Sequence, residues 1–121
     1  MSTTTATFNL DRFTQAITDR EASPQIDAYA RDAVVTIIDH LAQPGSPRVL
    51  RGRDAIAEWI NDTAAREMTH AITHSVLDEH GAAFLLTCRY PDGTNVVCST
   101  LLALDAGEIA AQTVVQAWDE Q

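Results

Sequence analysis

Residues 78–108, DEHGAAFLLTCRYPDGTNVVCSTLLALDAGE, carry the clearest local signal in this chain of 121 residues. Three segments within this stretch share one turn chemistry, because each ends in glycine after polar or turn-forming residues. Each segment suits a three-residue hairpin loop, a type I turn followed by glycine in the left-handed region. The segments are Glu79-His80-Gly81, Pro91-Asp92-Gly93 and Asp105-Ala106-Gly107.

Such loops set the register of the strands that they join, because the residues flanking a loop must pair. The turns therefore predict an antiparallel meander over the second half of the chain. The expected pairs are Asp78 with Ala82, Tyr90 with Thr94, and Leu104 with Glu108.

Side-chain alternation divides this predicted sheet into two faces. One face is bulky and aromatic, and we expect helices to close over it as a concave surface. It contains His70, Ile72, His74, Val76, Phe84, Leu86, Cys88, Tyr90, Val96, Cys98, Thr100, Leu102, Gln112, Val114, Gln116 and Trp118. The opposite face is small, flat and partly apolar, and we expect it to bind a second copy of the chain. Its larger members are Leu85, Val97, Leu101 and Val115.

The first half of the chain combines helical patterns with one β-branched run. Apolar side chains recur at helical spacing after capping or turn residues. The predicted elements are a helix from the N-cap Asn9 to Arg20, a helix from the N-cap Ser23 that includes Tyr29 and Ala30, a strand over 34–38, a loop over 42–48 and a helix over 53–64. Together with the meander, these elements predict one α+β domain over residues 1–121, with N-terminal helices packed on a curved antiparallel sheet.

Composition indicates the class of protein and its cellular location. Apolar residues make up 45% of the chain and charged residues 21%, which is typical of a globular domain. No apolar run approaches the ~20 residues of a membrane-spanning helix. The N-terminus has neither the basic start nor the apolar stretch of a secretory signal. We therefore expect a cytoplasmic protein that does not enter a membrane.

The charge balance excludes several partners and chemistries. A net charge of −9 repels phosphate groups, which argues against nucleic acid and anionic membrane surfaces. All eight basic residues are arginine, which excludes lysine Schiff-base chemistry and Walker-type phosphate loops. The sequence has no glycine-rich nucleotide fingerprint, and we expect no cofactor.

Metal and disulfide chemistry are also not expected. On a strand, His70 and His74 would lie about 13 Å apart, too far to share one ion. Cys88 and Cys98 are predicted as diagonal neighbours on the inner face. A cytosolic pair of this kind is expected to stay reduced and to act as small hydrophobic groups.

Several segments of the chain resemble the nuclear transport factor 2-like superfamily, in particular its SnoaL-like and ketosteroid-isomerase-like members. They are Tyr29-Ala30-Arg31-Asp32-Ala33, Gly52-Arg53-Asp54-Ala55-Ile56, Met68-Thr69-His70 and the closing meander that ends in Trp118. The resemblance covers nearly the whole chain. It implies a cone-shaped half-barrel that is commonly dimeric. Its members include isomerases, dehydratases, polyketide cyclases and binding modules, so the fold alone does not choose a reaction.

The resemblance also implies candidate acid and base residues. Asp39 matches the general base of the ketosteroid-isomerase-like branch, and strand alternation would point it inward. His70 matches the base of the dehydratase-like branch, in which Asp19 would orient the imidazole. The family's oxyanion donors have no clear match in this sequence, and our own hypothesis is that Tyr90 or His74 donates a hydrogen bond to the developing oxyanion. Whether Asp39 or the pair of Asp19 and His70 is the base stays open at this point.

Further side chains are candidates for holding the substrate. Trp118 and Phe84 would contact its apolar body, with Cys98, Gln116 and Trp59 completing the wall. The leading hypothesis is a cofactor-free enzyme doing acid/base chemistry, of the isomerase or lyase type, on a compact apolar molecule. The alternative is a non-catalytic module of the same fold that binds a ligand or assembles into dimers.

Overall fold

The computed structural model describes residues 7–119, in which three helices and six strands follow one another. The helices are α1 (Leu10–Thr18), α2 (Ala22–Asp27) and α3 (Arg53–Ala65). The strands are β1 (Tyr29–Ile38), β2 (Arg48–Arg51), β3 (Thr69–Leu77), β4 (Gly81–Arg89), β5 (Asn95–Asp105) and β6 (Glu108–Trp118). The prediction that the N-terminus is not a secretory signal concerns residues 1–7, of which 1–6 lie outside the described residues.

The six strands form one sheet in the order β2-β1-β6-β5-β4-β3. Every neighbouring pair is antiparallel except β1 and β6, which run parallel. The three helices pack on one face, and the core between them and the sheet includes Phe13, Tyr29, Ile56, Ile60 and Ile109. The predicted α+β architecture, helices on a curved and mostly antiparallel sheet, is confirmed. Within residues 7–119, no helix combines the length and apolar character that crossing a bilayer requires.

The first and third helices match the sequence prediction closely. The Asn9 side chain accepts a hydrogen bond from the Arg12 backbone N–H at 2.9 Å, which caps α1. The second helix begins earlier than predicted, at Ala22, with Glu21 rather than Ser23 at the N-cap. Pro24 then lies in the first turn, where its missing N–H costs no intrahelical hydrogen bond.

The first two strands differ from their predictions. Tyr29 and Ala30, predicted as helical, already belong to β1, and the pairing of β1 with β6 shifts register between Tyr29 and Val34. The edge strand β2 was not predicted, since its four residues include two arginines. It pairs antiparallel with β1, so that Val35 faces Leu50.

The three turns fold in three different ways. The middle turn has the predicted register, with the Tyr90 N–H donating to the Thr94 carbonyl at 3.0 Å. In the first turn Leu77 pairs with Ala82, which is one residue away from the predicted register. In the third turn Asp105 pairs with Glu108, and a two-residue loop with positive φ angles replaces the predicted three-residue loop.

Register shifts in β6 and β3 determine which side chains lie on the face of the sheet predicted for them. In β6, a register shift returns the strand to the predicted face, so Cys98 lies opposite Gln116. In β3, His70 lies opposite Cys88 as its predicted face requires. A further shift between Ile72 and His74 then reverses the alternation. His74 is therefore exposed on the outer face, and its predicted position on the concave face is wrong.

Candidate active site

A cavity of about 100 Å³ lies between the helices and the concave face of the sheet. This is the scale of an interior cavity that holds one small organic molecule. It is smaller than the ~300–1,000 Å³ typical of sites for drug-sized ligands. The lining comprises Phe13, Ile17, Arg20, Gln25, Tyr29, Trp59, Ile60, Thr63, Ala64, Met68, His70, Phe84, Leu86, Cys88, Cys98, Thr100, Gln112, Val114 and Gln116.

Three reactive side chains from neighbouring strands meet in this lining. His70 on β3 lies directly opposite Cys88 on β4, and its Nδ1 is 3.2 Å from the Cys88 Sγ. Cys98 on β5 is the diagonal neighbour of Cys88, as predicted. Both cysteines are buried and form no disulfide. We call these three residues the thiol–imidazole cluster.

The pKa values of the two thiols in the cluster are shifted in opposite directions. Hydrogen bonds from Cys98 and then from His70 lower the pKa of Cys88 to about 5, although burial opposes this effect. The pKa of Cys98 is raised, because its proton is held by Cys88 and because burial disfavours its charged form. The contact with His70 therefore favours the thiolate form of Cys88.

A second polar pair lies deeper in the wall. The Tyr29 hydroxyl donates to the Gln112 Oε1 between the parallel strands β1 and β6, and both side chains are buried. Burial raises the pKa of Tyr29, with the Gln112 hydrogen bond acting in the opposite direction. Sequence reasoning missed this pair because it assigned Tyr29 to a helix. The β-branched run that follows Tyr29 was the available signal for a longer strand.

The exposed side chain of Arg20 marks the mouth of the cavity. Arg20 adopts a left-handed backbone conformation with φ of 58°, just after the end of α1. Its Nε donates to the Ala64 carbonyl in the last turn of α3 at 3.1 Å. One hydrogen bond thus joins two helix ends beside the opening.

The predicted carboxylates do not reach the cavity. Asp39 follows β1, and its Oδ1 accepts the backbone N–H groups of Leu41 and Ala42, both at 2.8 Å. It holds the turn after the strand and is not part of the lining. Asp19 is the exposed C-cap residue of α1, and its Oδ1 accepts from the Gln15 Nε2 at 3.0 Å. The predicted pairing of Asp19 with His70 is therefore not formed.

The other predicted residues divide between the wall and a rim outside it. Trp59, Phe84, Cys98 and Gln116 line the cavity as expected. Tyr90 and Trp118 stack on each other outside the lining, with ring centroids 5.9 Å apart. Trp118 lies opposite Val96 and keeps its predicted inner face, but it does not line the cavity. Tyr90 lies at the turn where the sheet ends, and its hydroxyl accepts a hydrogen bond from Arg66.

The lining therefore offers imidazole and thiol groups for acid/base chemistry. None of the described residues in the lining is Asp or Glu. Across residues 7–119, no group of three or more His, Cys, Asp or Glu side chains is arranged to hold a metal ion. His70 and Cys88 are the ionisable lining residues that are in contact with each other.

Comparison with solved structures finds close similarity of fold at low sequence identity. A nuclear transport factor 2-like protein of unknown function from Mesorhizobium loti is 14% identical, with a TM-score of 0.77. The match covers 89% of this chain and 87% of that one. A candidate ketosteroid isomerase from Kribbella flavida is 16% identical over 92% of this chain and 75% of its own, with a TM-score of 0.72. A candidate isomerase from Bacillus subtilis is 15% identical over 89% and 83%, with a TM-score of 0.70.

The chain therefore has the nuclear transport factor 2-like fold, which confirms the fold expected from the resemblance. No protein-family model and no curated protein matches the sequence.

Proposed function

We propose that this protein is a cofactor-free enzyme that transfers a proton within a small carbonyl compound, as an isomerase does. The observation that carries the proposal is the contact between the His70 Nδ1 and the Cys88 Sγ in a largely apolar cavity. Similarity to candidate isomerases of the same fold is consistent with this chemistry. The same first step can also begin a dehydration or a cyclisation, as in lyases and polyketide cyclases.

In this proposal His70 is the general base. Its Nδ1–H donates to the Cys88 thiolate, which leaves the Nε2 to accept a proton from the carbon next to the carbonyl group. The negative sulfur stabilises the imidazolium that forms, as a carboxylate does in other histidine pairs. Cys88 thus takes the orienting role that the resemblance assigned to Asp19.

A donor for the developing oxyanion is also available in the wall. The Gln116 Oε1 accepts a hydrogen bond from the Trp118 Nε1 at 3.1 Å, which fixes the orientation of the amide. We assign the Gln116 amide N–H groups to the substrate oxygen, in place of Tyr90 and His74. Trp59 and Phe84 would contact the apolar part of the substrate.

The test uses 3-cyclohexen-1-one, a small β,γ-unsaturated ketone whose conversion to the conjugated ketone is followed by absorbance. Hydrogen exchange of the same compound in D₂O, followed by NMR, reports proton abstraction alone. His70→Ala should lower both rates by about 10²–10⁴-fold, the usual contribution of a positioned base. His74→Ala is the matched control, since His74 lies on the same strand but on the outer face. Equal rates in the two variants would contradict the assignment of His70.

We further propose that the outer sheet face binds a second copy of the chain. Three apolar side chains on β5 and β6, those of Val97, Leu101 and Val115, are 41%, 57% and 44% exposed. Leu101→Asp should shift the sedimentation coefficient to that of a monomer, whereas an unchanged value would contradict the dimer. The unpaired cysteines favour a reducing compartment, the cytoplasm, as the site of action.

A further inference from the structure

A nucleophile lies in the cavity beside the proposed base. Cys88 lines the cavity, its Sγ is 3.2 Å from the His70 Nδ1, and Cys98 on the neighbouring strand lines the same cavity. The thiolate is the nucleophilic form of cysteine. An imidazole in contact with the sulfur favours this reactive form. A thiol that only filled space in an apolar core would instead stay protonated.

We propose that Cys88 is a covalent binding site for small α,β-unsaturated carbonyl compounds. This activity goes beyond the proton transfer proposed above and does not require it. Cys88 is the sulfur in contact with the His70 imidazole, so the reaction is assigned to Cys88 rather than to Cys98.

The cavity limits the compounds that can reach this sulfur. Its volume of about 100 Å³ restricts an occupant to a small molecule, no larger than a single six-membered ring. Most of the side chains around Cys88 are apolar, among them Phe84, Leu86 and Val114. This largely apolar wall favours a neutral electrophile, because a charged one would lose much of its hydration there. The expected partners are therefore small, neutral and soft electrophiles.

The addition balances without an oxidant or a reductant. The Cys88 sulfur forms a bond to the β-carbon, and the π electrons of the C=C bond move to the α-carbon and the carbonyl oxygen as an enolate. Water then supplies a proton to the α-carbon. The net change is the addition of one thiolate and one proton across the double bond, and loss of the same proton reverses it.

The probe is 2-cyclohexen-1-one, and the readout is the mass of the intact protein at pH 6. At this pH an ordinary thiol with a pKa of 9.0 is about 0.1% thiolate, whereas the lowered pKa of Cys88, about 5, keeps it mainly thiolate. A thiolate of lower pKa is a weaker nucleophile, with a Brønsted slope of about 0.4–0.5. The net advantage of Cys88 over free N-acetylcysteine is therefore about tenfold.

The expected result is one adduct per chain, located at Cys88 by peptide mapping of the wild-type protein. Cys88→Ser should lose it, whereas Cys98→Ser should retain it because the serine hydroxyl can still donate. A bulky aromatic disulfide should react with Cys88 at least about tenfold more slowly in the native protein than in urea, because the sulfur is buried. Modification of Cys98, or reaction of Cys88 no faster than N-acetylcysteine, would overturn the proposal. Adduct formation is measured without turnover, so this proposal can fail separately from the preceding one. Because 2-cyclohexen-1-one is also the product of the isomerisation assay, that assay is read from initial rates.

Discussion

Tyr29 and Gln112 join the parallel pair of strands through a buried hydrogen bond from the tyrosine hydroxyl to the amide oxygen. The two side chains are 1% and 6% exposed, so no bulk water replaces this bond if one partner is removed. The bond closes the deep end of the cavity with a neutral polar pair. Its loss should therefore affect stability more than a surface hydrogen bond would.

Tyr29→Phe should lower the free energy of unfolding by about 1–3 kcal/mol, the cost of leaving a buried acceptor unpaired. Urea denaturation monitored by circular dichroism measures this change. The double variant Tyr29→Phe with Gln112→Leu removes both polar groups, and should recover part of the loss. A single variant as stable as the wild type would contradict the burial of the pair.

Alkaline conditions should destabilise the protein through the same tyrosine. Burial raises the pKa of Tyr29 above its ordinary value of 10.0. The unfolded chain then releases the proton at a lower pH than the folded chain does. The contribution is fully present below about pH 10 and is lost as the pH rises beyond it. Melting temperatures between pH 8 and pH 11 should show this decline in the wild type, and a smaller one in Tyr29→Phe.

Acid titration of Cys88 should show the opposite dependence. The ionisable groups in the lining around it are His70, Cys98, Tyr29 and Arg20. Because the folded pKa is about 5, below the ordinary value of 9.0, the thiolate contributes stability above about pH 9. This contribution is lost as the pH falls to about 5 and below. The ultraviolet absorbance of the thiolate should disappear over this acid range, and Cys88→Ser should lack the transition.

Gly81 is the glycine at which an added methyl group should do most harm. A Cβ atom there would lie 2.9 Å from the Leu102 carbonyl oxygen on the neighbouring strand. Gly81→Ala should therefore cost about 1–3 kcal/mol of stability, as overpacking does. Gly45→Ala is the matched control, because no atom lies within 4 Å of its added Cβ. Equal denaturation midpoints for the two variants would refute this contact.

Asp39→Ala should weaken the turn after β1 without affecting chemistry in the cavity. It removes an acceptor for two backbone N–H groups, each hydrogen bond being worth about 0.5–1.5 kcal/mol. The rate of 3-cyclohexen-1-one isomerisation at a temperature well below melting should match the wild-type rate. A loss as large as that in His70→Ala would reinstate Asp39 as the base.

The turns show which parts of this fold the sequence predicts and which parts it does not. Pro91 presets its own φ angle, so the Pro91-Asp92-Gly93 turn adopted the predicted register. At Asp105-Ala106-Gly107 the structure places Ala106 at a φ of 51°, a conformation that alanine rarely adopts. Local sequence rules give no reason to expect this. The fold was still predicted correctly because a register shift in β6 restored the alternation.

The candidate site was predictable in part for a similar reason. Side-chain alternation along β3 and β4 predicts that His70 and Cys88 lie on the same face of the sheet, and the structure pairs them. The register shift between Ile72 and His74 reverses this alternation, and the sequence carries no local sign of the shift. The acidity of Cys88 depends on three strands at once, and no spacing within one segment could indicate it.

Arg20 also bears on how quickly a guest molecule can leave. Its bond to the Ala64 carbonyl joins the ends of two helices beside the opening, and the arginine itself is exposed to water. Breaking one solvent-exposed hydrogen bond requires only side-chain and local loop motion, on timescales of about nanoseconds to microseconds. A non-covalent occupant should therefore exchange with solvent far faster than the chain unfolds. Long residence in this cavity would require a bond to the protein.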